Sequence, residues 1–275
     1  MIVRAIDAGI DQWVARRVTP PRTDGLHVSV VLTEMLKTVN PDRYGTWGRN
    51  KDRDFDPMWE AGYMWEDVLA KALADRPMPN THLLPPKELS LDGIFGTPDR
   101  LILEAQPTTA PAPWRIIDEE VKFTWMTCAG LLVNPKKRPE AIEDWNPAGL
   151  TEDLRFTYWM LQSKTYAAML WLRRYRGRVR SGSATCAYIE TPEGYPRDEP
   201  WPMMTPLIRL RALFVNGNYR GELAIPAAFE IEYTPAELET WWTSFRDYAH
   251  KLASIALTHT ATLDPDDPCG EPNVE

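Results

Sequence analysis

Apolar side chains recur every three to four residues in several stretches of the chain, which is the spacing of helices with one buried face. Such helices are predicted over residues 30–36, 59–73, 154–175 and 235–257. Ser29 and Thr151 precede two of these stretches and suit a helix N-cap, and Thr234-Pro235 suits the start of a third. The stretch over 154–175 is almost continuously apolar or aromatic, so we expect that helix to be largely buried.

Shorter apolar or alternating runs predict strands between these helices. The predicted strands lie at residues 89–95, 99–104, 115–123, 184–190, 207–215 and 219–225. A Pro-rich link over 106–113 suits a hairpin loop, and Asn216-Gly217 suits a tight turn. The order of helix, three strands, helix and strand indicates an α/β fold.

The length and composition fit a globular protein with one large domain or two small ones. The chain has 275 residues, of which 44% are hydrophobic and 25% are charged. We expect a single domain over residues 1–258, with a helical N-terminal part, and a disordered acidic tail over 259–275. The net charge of -8 argues against a general nucleic-acid coat, but it leaves room for a local basic groove.

The cysteines and the apolar runs indicate a cytoplasmic protein that does not cross a membrane. Cys128, Cys186 and Cys269 are widely spaced and form no close pair, so neither a zinc site nor a disulfide framework is predicted. A reducing cytoplasm is the natural setting for such free cysteines. The apolar run over 167–172 is far too short to span a bilayer.

Acidic residues are concentrated in an otherwise strand-like region. Asp99 opens one predicted strand, and Asp118, Glu120 and Lys122 point to the same face of the next one. If the two strands pair, Asp99 comes close to Glu120. Like charges on a buried strand are costly unless a cation compensates, so this pattern predicts a site for a divalent cation and a phosphate. The alternative is an exposed edge strand with a solvated acidic face.

The sequence from Asp99 to Glu120-Val121-Lys122 resembles the motif of the PD-(D/E)XK nuclease superfamily. Gly-Thr-Pro-Asp at 96–99 supplies the proline of that motif. The resemblance implies a restriction-endonuclease-like core, in which a small mixed sheet is flanked by helices.

Two further pieces resemble the RecB-like and phage-exonuclease branch of that superfamily. Gly62-x-x-x-Glu66 lies on a predicted helix before the motif, and Gln162-x-x-x-Tyr166 lies on a predicted helix after it. All the pieces occur in the family's order over residues 62–166. A short motif alone arises by chance, whereas several in order are much more specific.

The resemblance implies a bound Mg²⁺ or Mn²⁺, which are hard cations that prefer oxygen ligands. Its ligands would be Asp99, Glu120, the backbone carbonyl of Val121 and Glu66. For Glu66 the alternative is a surface charge paired with Lys71 or Arg76. Some relatives carry a four-cysteine iron–sulfur cluster, and three cysteines cannot supply that set, so no such cluster is expected.

The same resemblance implies roles for three other side chains. Lys122 would orient the attacking water or stabilise the transition state. Gln162 and Tyr166, which are neighbours on one helix face, would contact DNA or orient the catalytic groups. Their alternative is a core-edge amide and a buried tyrosine.

A run of arginines follows on the C-terminal end of the same helix. Its members are Arg173, Arg174, Arg176, Arg178 and Arg180. Cations are favourable at a helix C-terminus in any case, but this run exceeds that need. A DNA-binding patch and a solvated helix end both remain open.

The function implied by the resemblance is metal-dependent hydrolysis of DNA. An exonuclease of the phage recombination or repair type, acting on DNA with a free end, fits better than an endonuclease. A homo-oligomer or a recombination partner protein is compatible with this. The rival is a nuclease fold kept as a non-catalytic DNA-binding or assembly module, against which the intact Asp99, Glu120 and Lys122 speak.

Overall fold

The computed structural model describes residues 25–45, 57–75, 80–84, 88–110, 112, 114–181, 204–218 and 223–261. Its α-helices are α1 (Val28–Val39), α2 (Pro41–Tyr44), α3 (Pro57–Asp75), α4 (Pro147–Glu152), α5 (Leu154–Ser181) and α6 (Pro235–Ala261). Its strands are β1 (Leu26–His27), β2 (Thr81–Leu84), β3 (Leu89–Leu91), β4 (Ile94–Gly96), β5 (Arg100–Ala105), β6 (Trp114–Thr124), β7 (Leu207–Phe214) and β8 (Ile225–Glu232).

The larger sheet has five strands in the order β2-β5-β6-β7-β8, with the longest strand, β6, at its centre. Only β6 and β7 run parallel, because the chain passes through α5 between them, and the other neighbours are antiparallel. A second sheet has the order β1-β4-β3. The predicted α/β fold with a mixed sheet flanked by helices is therefore confirmed.

Alternation along β6 gives the sheet two chemically different faces. Ile116 lies on the face that packs against α5, α6 and α1, where the main hydrophobic core forms. The opposite face is covered at β6 by α3, since a Cβ at Gly62 would lie 4.0 Å from the Cβ of Phe123. Helices therefore approach the centre of the sheet from both sides.

The end of β6 is only partly paired. β5 begins at Arg100, which lies opposite Glu119, whereas β6 continues to Thr124. Beyond Glu119, β6 pairs with β7 alone among the described strands. This leaves an open edge on β6, next to Asp99, near the middle of the sheet.

Some predicted elements are wrong in detail. The predicted strand over 89–95 is instead the hairpin β3–β4, whose turn places Asp92 and Gly93 at positive φ (53° and 77°). Asp-Gly is a strong signal for this turn. The partner of β7 is β8, not the predicted strand over 219–225, and the predicted strand over 184–190 lies outside the described residues.

The predicted helix starts have mixed outcomes. The start at Thr234-Pro235 is confirmed, and there the Thr234 hydroxyl accepts the Glu237 N–H (3.3 Å) while the Thr234 N–H donates to the Glu237 carboxylate (2.8 Å). Thr151 is wrong: it lies inside α4, and Asp153 instead accepts the Phe156 N–H at the start of α5 (2.8 Å). Ser29 is also wrong, since α1 already begins at Val28.

The ends of the chain lie largely beyond what the structure describes. Residues 1–24, the predicted helical N-terminal part, are outside it. The last helix reaches Ala261, slightly past the predicted start of the tail, and the remainder of the tail is outside. In the part of the chain that is described, no helix has the length and hydropathy needed to traverse a bilayer.

Gly96, at the end of β4, allows α5 and α1 to approach the turn that carries Asp99. A Cβ there would lie 2.5 Å from Cε1 of Tyr166 and 2.9 Å from Cγ2 of Val28, and both of these side chains are fully buried. We therefore expect Gly96→Ala to lower the free energy of unfolding by about 1–3 kcal/mol, measured by denaturant titration. Gly130→Ala, where a Cβ meets nothing within 4 Å, is the control and should change it little. Equal stability of both variants would contradict the close packing.

Candidate active site

The open edge of β6 is closed by a side chain instead of a strand. Asp99 stands one residue before β5, and its Oδ2 accepts the backbone N–H of Val121 at 2.7 Å. A strand residue points its N–H and C=O to the same side, so the Val121 carbonyl also faces this edge. Asp99 thus takes the place of the missing ladder partner and holds a carboxylate beside that carbonyl.

The structure brings Asp99, Glu120 and Lys122 together. The Lys122 ammonium donates to Oε1 of Glu120 and lies 3.8 Å from Oδ2 of Asp99. The side chain of Glu120 is fully buried, while those of Asp99 and Lys122 are about 20% and 19% exposed. One buried acid, one accessible acid and one accessible ammonium therefore meet at the edge of the sheet.

Two buried carboxylates on this face have oxygens without a hydrogen-bond partner. Both carboxylate oxygens of Asp118 and Oε2 of Glu120 are buried without a hydrogen bond. Burial and the negative charge of Glu120 raise the pKa of Asp118 well above its usual range. Burial and the charge of Asp99 also raise the pKa of Glu120. The ionised forms of these acids are therefore unfavourable unless a positive charge binds beside them.

Lys122 supplies part of that charge. Burial alone would lower the pKa of Lys122, but the carboxylates of Glu120 and Asp99 outweigh it and raise that pKa. The side chain is therefore an ammonium throughout the neutral range. One ammonium does not balance all the acids on this face.

The donor set fits a hard divalent cation. Within the described ranges, no group of three or more His, Cys, Asp or Glu side chains is arranged to hold a metal ion. However, Mg²⁺ needs only one or two carboxylates and keeps several waters. Asp99, the unpartnered oxygen of Glu120 and the edge-facing carbonyl of Val121 form such a set.

A stripe of polar side chains on α5 runs beside these groups. Tyr158, Gln162 and Tyr166 are each one helical turn apart, and Gln162 Nε2 donates to the Tyr166 hydroxyl at 3.1 Å. Eight helical residues rise about 12 Å, close to the roughly 13 Å covered by four strand residues from Asp118 to Lys122. The stripe can therefore follow the acidic face of β6 along its length.

The charged groups of the site act on the tyrosines at both ends of the stripe. Burial raises the pKa of Tyr166 well above its usual range, and the negative charges of Glu120 and Asp99 add to the rise. Burial also raises the pKa of Tyr158, which lies close to the charges of Lys122 and Glu120. Tyr158 is not part of the sequence motif, although its position four residues before Gln162 places it on the same helix face.

Glu66 approaches the same edge from the other face of the sheet. It lies on α3, one turn after Gly62, and is half-buried. Its charge contributes to raising the pKa of Glu120, so it lies within electrostatic reach of the site. A Cβ at Gly62 would make only ordinary contact with Phe123, so the approach of α3 does not itself require a glycine there.

The arginines at the end of α5 do not form a described patch. Arg173 Nη1 donates to the carbonyl of Ser90 at 2.8 Å, which fastens α5 to β3. The side chains of Arg174, Arg176, Arg178 and Arg180 lie outside the described residues, although the helix itself continues to Ser181.

Glu119 does not belong to the acidic cluster, although the sequence places three acids in succession. It points to the α3 face and is fully buried among arginines. Arg100 Nε lies 3.2 Å from its Oε2, Arg209 Nη1 lies 3.9 Å from its Oε1, and Arg211 Nε donates to Oε1. The signal that could have separated Glu119 is the strand alternation itself, which assigns it to the face opposite Asp118 and Glu120.

Comparisons with known proteins give no family. No protein-family model matches the chain, and no curated protein matches it. Among solved structures it is similar to one described as "Crystal structure of SSO0001", with a TM-score of 0.38 and 10% sequence identity over 89% of this chain and 85% of that one. A likeness at this level indicates nothing about activity.

The buried acids predict that the metal-free protein loses stability as pH rises. The pKa values of Asp118 and Glu120 are raised on folding, so above about pH 4 the folded state binds more protons than the unfolded state. Their contribution is present at low pH and is lost as pH rises through the folded pKa values. The melting temperature in EDTA should therefore fall between about pH 5 and pH 8, and Asp118→Asn should flatten that fall.

Mg²⁺ at the upper end of this pH range should raise the melting temperature of the wild type. Glu143→Gln, which removes an exposed acid, is the matched control and should behave like the wild type. A melting temperature that rises with pH in EDTA would show that these acids are compensated within the fold.

Proposed function

We propose that this protein is a metal-dependent nuclease that hydrolyses phosphodiester bonds of DNA. The observation that carries the proposal is the meeting of Asp99, Glu120 and Lys122 at an open strand edge beside unpartnered buried carboxylate oxygens. The superfamily motif carried by the same residues supports it. A bound Mg²⁺ or Mn²⁺ would lower the pKa of a water molecule and neutralise charge on the phosphate.

The protein's own residues would hold and orient the reacting groups. Asp99, Glu120 and the Val121 carbonyl would hold the ion, with Glu66 reaching the site from α3. Because Asp99 is fixed by the Val121 N–H, its carboxylate is already in place before any ligand arrives. Preorganised groups of this kind need little rearrangement during the reaction.

Lys122 would act as a fixed positive charge and not as a general base. Its neighbours Glu120 and Asp99 raise the pKa of its ammonium, so it has no free lone pair at neutral pH. An ammonium beside the attacked phosphate can donate to a phosphate oxygen or to the attacking water. Either contact strengthens as negative charge develops in the transition state.

Gln162 and Tyr166 would position the acidic face. The Tyr166 hydroxyl accepts the Gln162 amide and, with its raised pKa, keeps its own proton. That proton remains available to a carboxylate or to the substrate. The pair thus supports the resemblance to the exonuclease branch, which favours DNA with a free end as substrate.

The proposed setting follows from the same resemblance. We place the enzyme in the cytoplasm and in phage-type recombination or repair, acting alone, as a homo-oligomer or with a recombination partner protein. Digestion of end-blocked, nicked and circular DNA, with and without Mg²⁺, tests the exonuclease assignment. An exonuclease should degrade only substrates with accessible ends.

A non-catalytic DNA-binding or assembly module is the second candidate. It is favoured by the direct ion pair between Lys122 and Glu120, which compensates the charge of the buried acid without a metal ion. Nucleic acid that stays intact with both Mg²⁺ and Mn²⁺, but is bound, would decide for this candidate.

We expect Lys122→Ala to bind Mg²⁺ and DNA but to cleave about 10²–10³-fold more slowly, because one preorganised donor to the transition state is lost. Lys122→Arg should not restore the rate, since the planar fork places its charge differently. The measurement is single-turnover cleavage at saturating metal and enzyme. Lys136→Ala, at an exposed position, is the control. Cleavage by Lys122→Ala at the wild-type rate would remove this residue from the mechanism.

The metal ligands should behave differently from Lys122. Asp99→Ala and Glu120→Ala should abolish cleavage and also weaken Mg²⁺ binding, while the fold is kept. Calorimetric titration with Mg²⁺ separates the two groups of variants. A clear loss of apo melting temperature in Glu120→Gln would identify that acid as structural.

A further inference from the structure

We propose that Arg100, Arg209 and Arg211 form a second phosphate-binding subsite, on the sheet face opposite Lys122, for a backbone phosphate of the bound nucleic acid. This inference rests on the proposed function and adds a substrate contact that the motif does not contain. The ligand is recognised by its chemistry, an oxyanion that accepts several hydrogen bonds from guanidinium groups.

The three arginines belong to a row of alternating charge across the sheet. Arg100 on β5 lies opposite Glu119 on β6, Glu119 lies beside Arg209 on β7, and Arg209 lies opposite Glu230 on β8. Arg211, two residues after Arg209, reaches the same buried Glu119. Three guanidinium groups therefore converge on one buried carboxylate.

Part of this positive charge has no acceptor. Arg100 is only 8% exposed, and its Nη1 and Nη2 are buried without a hydrogen-bond partner, as is Nη1 of Arg209. Buried donors without acceptors are costly. A purely structural role in holding Glu119 accounts for the Nε atoms of Arg100 and Arg211, but not for these terminal nitrogens. A phosphate has the acceptor oxygens that they lack.

Apart from Glu119, the acids around this cluster are partly exposed to solvent. Arg209 is shared with Glu230, whose side chain is about half exposed, so solvent screens that pair. Glu119 is then the one fully buried acid among the three cations. Asp99 and Glu66 also act on Arg100 through their negative charges, and both of these acids are partly exposed.

The cluster is next to the cleavage site and has an approach from solvent. Arg100 directly follows Asp99, and the two side chains leave β5 and its preceding turn on opposite faces. The side chain of Arg211 is 31% exposed, and Ala228, opposite it on β8, is exposed. A strand crossing the open edge of β6 would meet Lys122 on one face and this cluster on the other.

A double-mutant cycle between an arginine and a single phosphate tests the proposal. Binding is measured by fluorescence anisotropy in the cleavage-deficient Lys122→Ala background, with oligonucleotides in which one phosphate at a time is a neutral methylphosphonate. We expect one position near the cleaved bond at which neutralisation weakens binding about tenfold or more. Arg211→Gln should lose a similar factor of affinity for unmodified DNA. Its remaining affinity should not change when the phosphate at that position is neutralised.

Salt dependence and a matched control complete the experiment. Arg211→Gln should reduce the slope of log Kd against log salt by about 0.7–0.9, the value for one phosphate contact. Arg246→Gln removes the same charge on α6, where that arginine pairs with its neighbour Asp247, and should leave slope and cycle unchanged. Arg209→Gln provides a second member of the cluster if Arg211→Gln lowers the melting temperature.

The outcomes separate this inference from the proposed function. In one outcome, the losses of binding free energy from Arg211→Gln and Arg209→Gln add to those from every methylphosphonate position, while the wild type still cleaves. The arginines then only hold Glu119, and the subsite is overturned while the proposed function stands. If the wild type neither binds nor cleaves nucleic acid, the proposed function and the subsite fall together.

Discussion

The hydrogen bond from the Val121 N–H to Asp99 is the contact on which the candidate site depends. It forms because β5 begins at Arg100, opposite Glu119, and leaves residues 120–124 of β6 without a β5 partner, so a side chain takes over a ladder position. The same contact fixes an accessible carboxylate at the centre of a sheet, where backbone normally occupies the edge. Without it, Glu120 and Lys122 would lie at an unpaired strand edge with no second carboxylate beside them.

The strand alternation then divides the charges between two environments. Asp118 and Glu120 share a face with the hydrophobic core and carry an excess of negative charge, which Lys122 relieves only in part. Glu119, between them in sequence, sits among arginines on the other face. The proposed metal ion would bind on one side of β6 and the proposed phosphate on the other. In the proposed function, a phosphodiester with its counterion would supply both.

The sequence predicts the parts of this arrangement that depend on local spacing. The two-residue step from Glu120 to Lys122 and the hairpin with Asp99 follow from strand geometry, and both are present. The long buried helix and the helix start at Thr234-Pro235 also follow from local pattern. The arginine cluster could not be predicted, because Arg209 and Arg211 reach Glu119 through the parallel register of β6 with β7, which pairs residues far apart in the sequence. The prediction of the partner strand of β7 was wrong because the alternating pattern of β8 also occurs in many exposed segments.

The parallel pairing of β6 and β7 also bears on the order in which contacts form during folding. The hairpin that joins Asp99 to Glu120 closes over a short link, so its acids can meet early as the chain collapses. Arg211 is 92 positions beyond Glu119 and reaches it only after α5 has packed and the chain has returned to the sheet. Until then the acids of β6 lack their most distant counter-charges. We therefore expect ionic strength to act on the docking of β7, the step that brings these distant counter-charges to the acids.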